Sequence, residues 1–112
     1  MKRQRPPESP TQTAAPLRLQ LSRRRGFDLQ RCSRETNGLG ARSVARPTKW
    51  ANPFPVASHG REAAIALYRR YLAQALRRGD LNPAELRGLN LACWCKPGEA
   101  CHADILLALA NP

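Results

Sequence analysis

Cys93-Trp94-Cys95 and Cys101-His102 place three thiols and an imidazole within ten residues near the end of the chain. Such groups bind a soft metal, attack an electrophile as thiolate, or exchange electrons. A second polar cluster runs from Arg46 to Phe54 as RPTKWANPF. Arg46 supplies a planar fork for phosphate or carboxylate, Lys49 a point charge, and Asn52 both a donor and an acceptor. Trp50 and Phe54 offer faces on which a base or sugar stacks. Arg46, Lys49, Trp50 and Asn52 are therefore the candidate ligand-binding residues. In the competing reading, Trp50, Pro53 and Phe54 plug the edge of the domain while the cations face water. We expect the two clusters to meet in one small pocket.

The elements that must position these groups are legible in part. Leu17 to Leu21 alternates apolar and polar residues, as a half-buried strand does. Residues 26–41 carry three glycines and few apolar residues and read as a long loop containing Cys32. Arg42 to Ala45 suits a short second strand. Pro47 and Pro53 keep the RPTKWANPF segment out of regular structure and extended. Ala64, Leu67 or Tyr68, Tyr71, Leu72, Ala75 and Leu76 make one apolar face at helical spacing and predict a helix over 61–78, with Ser58 as a candidate cap and Gly79 as the stop. Asn82-Pro83-Ala84-Glu85 opens a short helix to Arg87. Leu89 to Cys95 reads as a buried strand, and residues 102–110 as the last helix. The order β, β, α, α, β, α implies an α/β fold: one small domain over 17–112 with about three mostly parallel strands, flanking helices, and a disordered basic, proline-rich tail over 1–16.

On a strand, Cys93 and Cys95 share one face and Trp94 takes the other. Cys101 then stands at the N-cap of the last helix. Unpaired amides and the positive end of the dipole favour an anion there, and thiolate over thiol. This makes Cys101 the candidate reactive cysteine, with His102 accepting its proton or orienting a phosphate. A second reading takes Cys93, Cys95, Cys101 and His102 as a tetrahedral zinc set, although C-x-C and an adjacent C-H differ from the usual C-x₂₋₄-C knuckle. A third makes the cysteines small core hydrophobes and His102 a surface residue.

The chain has 112 residues, enough for one domain, and 42% of them are hydrophobic, enough for a small core. Nineteen Lys and Arg against eight Asp and Glu give a net charge of +11; residues 1–49 hold twelve of the bases and three of the acids. That excess favours polyanionic partners, either an anionic small molecule or nucleic acid gripped by the basic N-terminal half. In the bland reading it is only a solvated surface. No run approaches the roughly 18 apolar residues of a membrane span, and the N-terminus lacks the apolar stretch of a secretory signal. A cytoplasmic location with reduced thiols is the expectation. There is no Walker loop, no G-x-G-x-x-G and no G-x-S-x-G, and no pattern sets a substrate, a reaction or an oligomeric state.

The succession LRLQLSRRRGF, RPTKWANPF, a helix with YRRYL, and ELRGLNLACWCKPGEACHADILLALAN resembles the domain-of-unknown-function family 4326 of bacteria and phages over roughly residues 17–111. The resemblance implies a compact cytoplasmic α/β domain without an established activity. Its signature falls on Arg46, Pro47, Lys49, Trp50, Asn52, Pro53 and Phe54. It continues on Leu86, Arg87, Gly88, Leu91, Cys93, Trp94, Cys95, Cys101, His102 and Asp104. The family usually has glycine where this chain has Ala45 and Ala51, and tryptophan where it has Phe27; its 28–41 loop is also shorter. Two added methyl groups would narrow a ligand loop.

The pattern supports three functions. The first is a pocket for a phosphate-bearing ligand, a nucleotide or nucleoside derivative. The second is nonspecific nucleic-acid binding, and the third is a structural zinc domain.

Overall fold

The computed structural model describes residues 15–112; most of the expected tail, 1–16, lies outside them. Asn90 to Cys93 form the central strand of a three-stranded sheet, and all four residues are buried. In chain order the strands are β1 (Arg18–Gln20), β2 (Ala41–Ser43) and β3 (Asn90–Cys93). Their spatial order is β1-β3-β2, and both pairings are parallel. Leu19 faces Ala92 on one side of β3, and Arg42 faces Leu91 on the other. Parallel strands need crossovers, and helices provide them here.

The first crossover is α1 (Leu29–Asn37), within the stretch expected to be loop. Polar chemistry, not apolar periodicity, builds it. The Asp28 carboxylate accepts from the Arg31 amide at 3.1 Å, and Gly38 closes the helix at φ 83°, where a Cβ would be strained. Ser33 and Asn37 then join Asn90 of β3. Asn90 Nδ2 donates to Ser33 Oγ (2.7 Å) and to Asn37 Oδ1 (2.8 Å), while its Oδ1 accepts from the Leu17 amide (2.8 Å) and from Asn37 Nδ2 (2.9 Å). Cys32 is thus a half-buried helix residue, not part of a loop.

The second crossover contains α2 (Val56–His59), α3 (Arg61–Arg78) and a 3₁₀ turn at Pro83–Leu86. α3 buries Ala64, Tyr68, Leu72 and Ala75 of the expected face, and Tyr71 and Leu76 pack against the core partly buried. Its cap is Gly60 and not Ser58, because residues 56–59 already form a turn of their own. The RPTKWANPF segment is folded into turns instead of extended: the Thr48 amide donates to Ala45 O at 3.0 Å, and the Ala51 amide to Thr48 O at 3.1 Å. The closing helix is α4 (His102–Ala110). Val44, Trp50, Tyr68, Leu86, Leu91 and Leu106 make the centre of the core. No helix of the described residues is long and apolar enough to cross a membrane.

Candidate functional site

β3 ends at Cys93, α4 begins at His102, and the eight residues between them fold back over the strand end. This brings the sulfurs of Cys93, Cys95 and Cys101 within 4.8 Å of one another, close enough together to hold a metal ion. Cys93 and Cys101 are buried, Cys95 is partly exposed, and none is in a disulfide. His102 falls outside that three-sulfur group. Its Nε2 lies 2.7 Å from Val44 O. A carbonyl only accepts, so Nε2 carries a proton, and Nδ1 lies 3.8 Å from Cys101 Sγ. His102 is buried against the edge of Tyr68 and is not the surface residue of the third sequence reading.

Two arginines strap the connecting loop. Arg61 Nη1 donates to Ala100 O at 2.8 Å and lies 3.8 Å from Cys95 Sγ, while Nη2 pairs with Glu99 at 3.4 Å. Arg18, from β1, donates to Glu99 O at 2.8 Å and to Lys96 O at 3.2 Å, and pairs with Asp104 at 3.1 Å. Burial works against the Arg18 charge, but Asp104 and the thiols of Cys101 and Cys93 hold its pKa above the ordinary value. Neither arginine stands out in the sequence. Their roles depend on β1 and α3 converging on one loop, and only the topology supplies that convergence.

The pull toward thiolate falls on a different sulfur from the one expected. Cys93 and Cys101 lie 2.9 Å apart and share a hydrogen bond. That bond, followed by burial, pushes Cys101 up to about 11, while the same bond holds Cys93 below its ordinary value against desolvation. Cys101 does occupy the α4 N-cap, but its side chain makes no capping bond. The helix-end argument for a Cys101 thiolate is outweighed by the nearer neighbour. Cys95 is raised, by burial first and then by Cys101.

A cleft of about 260 Å³ opens beside the thiols. Arg46, Asn52, Arg61 and His102 line it together with all three clustered cysteines, and Phe54, Val56 and Ile65 form an apolar wall. Arg46 and His102 thus face one cleft. Ala45 and Ala51 are also in its wall, where their methyl groups take up space. Lys49 and Trp50 are not in it. Lys49 pairs with Glu85 at 2.9 Å and lies over the Trp50 ring at 5.6 Å. Trp50 is 1% exposed in the core, so its face is closed to stacking, and its indole N–H finds no acceptor among the described residues. Asn52 braces its own loop, donating to Ala64 O at 3.1 Å and accepting from the Phe54 amide at 2.9 Å. The strand stops at Cys93, and Trp94 lies at the cleft rim, 44% exposed, with the Arg23 guanidinium 4.4 Å from its ring centre.

The model for the family described as Domain of unknown function (DUF4326) matches residues 27–112. The chain belongs to this family. β1 and Arg18 precede the matched DUF4326 segment, which holds the cleft-lining residues and the three thiols. The chain is also similar to an uncharacterized 12.4 kDa protein of the nrdA-td intergenic region of Enterobacteria phage T4. The two are 35% identical over 72 residues, which make up 62% of this chain and 66% of the phage protein, just under two thirds of its length. No solved structure matches the chain.

Proposed function

We propose that the cleft binds a small phosphate-bearing ligand, a nucleotide or nucleoside derivative. The observation that carries this reading is the charge of the wall: two arginines line it and no carboxylate does. Arg61 is partly engaged with Glu99, whereas Arg46 has no ion-pair partner among the described residues, so its fork is free for an incoming anion. The apolar wall of Phe54, Val56 and Ile65 suits a ring or sugar, and Trp94 at the rim offers a stacking surface that Trp50 does not. A cleft of 260 Å³ lies below the usual range for drug-sized ligands, in keeping with a mononucleotide fragment.

The test is titration with adenosine 5′-monophosphate and, separately, with adenosine, followed by tryptophan fluorescence. Trp50 is shielded, so the signal belongs to Trp94. The phosphate ester should bind at least about tenfold more tightly than the nucleoside, and Arg46→Gln should erase most of that difference. Equal binding of the two compounds, or unchanged affinity in Arg46→Gln, contradicts the reading. An affinity that collapses between low and physiological salt points instead to diffuse attraction by the basic half of the chain.

A further inference from the structure

We infer that Cys93, Cys95 and Cys101 bind one zinc ion as three thiolates, leaving the fourth coordination position open to the cleft. This differs from a closed four-ligand structural site. It shares the cleft with the ligand reading but does not depend on it. Tetrahedral zinc with bonds of about 2.3 Å sets its sulfurs about 3.8 Å apart. The three sulfurs already lie within 4.8 Å of one another, and the Cys93–Cys101 pair is at 2.9 Å. Side-chain rotations of about an ångström reach the zinc spacing.

The backbone that carries the sulfurs is held in place. Cys93 is fixed by the central strand, Cys101 by the start of α4, and the loop bearing Cys95 by Arg18 and Arg61. A cluster built on such supports is organised before the metal arrives. Three thiolates around Zn²⁺ leave one negative charge, and the Arg61 guanidinium 3.8 Å from Cys95 Sγ stands where it offsets that charge. Binding releases the thiol protons to solvent, and no electron is transferred. The three ligands that sulfur chemistry offers favour zinc among the abundant divalent ions.

His102 falls outside the three-sulfur group. Its Nε2–H bond to Val44 O leaves Nδ1 as the ring nitrogen able to bind, 3.8 Å from Cys101 Sγ, so His102→Gln separates a three-thiolate site from one closed by the imidazole. All three cysteines line the cleft, so a water molecule or a ligand atom arriving there completes the tetrahedron.

The test is metal analysis of the purified full-length chain, together with the absorption spectrum of its cobalt-substituted form. We expect one zinc per chain and the intense thiolate-to-cobalt band of a sulfur-rich tetrahedral site. Cys95→Ser should lose both signals while its far-ultraviolet circular dichroism stays that of the wild type, because Cys95 lies outside every strand and helix. His102→Gln and Arg46→Gln should keep the metal, so failure of the phosphate reading leaves this result untouched. Should Cys95→Ser fail to fold, thiol counting serves instead: iodoacetamide should label one cysteine of the zinc-loaded chain, Cys32, and additionally the partly exposed Cys95 after chelation. A metal-free wild type with no thiolate-to-cobalt band overturns the site. Loss of zinc in His102→Gln as complete as in Cys95→Ser overturns the open position.

Discussion

The Tyr68 hydroxyl donates to Trp50 O at 2.8 Å, and its ring meets His102 edge-on at 5.1 Å between centroids. One side chain thereby ties α3 to the RPTKWANPF turns and to the start of α4. Burial, and then the charges of Tyr71 and Cys101, raise the Tyr68 pKa well above its ordinary value. The folded state holds this proton more tightly than the unfolded chain, so the tyrosine's contribution is complete below about pH 10 and is lost as the pH rises beyond it. We predict that the melting temperature of the wild type falls more steeply above pH 10 than that of Tyr68→Phe. At neutral pH, Tyr68→Phe should cost about 1 kcal/mol for the lost hydrogen bond. Parallel alkaline limbs would show that Tyr68 does not report its burial. Position in the fold also decides between the two readings of Trp50, which is buried and not a stacking platform. An aromatic between Lys49 and Asn52 reads as a ligand platform in sequence, but the turns rotate it inward, and only tertiary structure shows which way a turn faces.

Among the elements, α1 was the hardest to read and makes the sharpest stability prediction. Its sequence, LQRCSRETN, has only Leu29 and Cys32 as apolar residues. Helical periodicity misses a helix whose buried contacts are Ser33 and Asn37 bonding to Asn90. The signals were present as Asp28 at the N-cap and Asn37-Gly38 at the end, but Asn-Gly equally marks a loop. Asp28→Ala should cost about 1 kcal/mol, the worth of one cap. Asn90→Leu should cost about 2 kcal/mol or more, because it strands the Leu17 amide and takes a hydrogen bond from both Ser33 and Asn37. Denaturant midpoints check both. A larger loss in Asp28→Ala than in Asn90→Leu would mean that the polar network does not dock the helix. By contrast α3 was plain, because Ala64, Tyr68, Leu72 and Ala75 repeat at helical spacing and all four are buried.

At the scale of the molecule, the helices before the last strand imply at least one parallel pairing, and the sheet is parallel throughout. What the pattern did not contain was the order β1-β3-β2, which puts Arg18 beside Asp104 and the thiol loop although 86 residues separate Arg18 from Asp104. The same arrangement collects charge. The chain carries +11 overall, yet its cleft wall combines two arginines with a largely apolar surface, so a local anion site and a diffuse basic field coexist. They differ in where a bound phosphate is felt. An amide-resolved NMR titration with adenosine 5′-monophosphate at physiological salt separates them most directly. The account predicts shifts confined to Ala45–Asn52 and Trp94–His102, with the Trp94 indole moving and the Trp50 indole still. Shifts confined to Arg23–Arg34, or spread evenly over the basic surface with Arg46 and Trp94 silent, would contradict it.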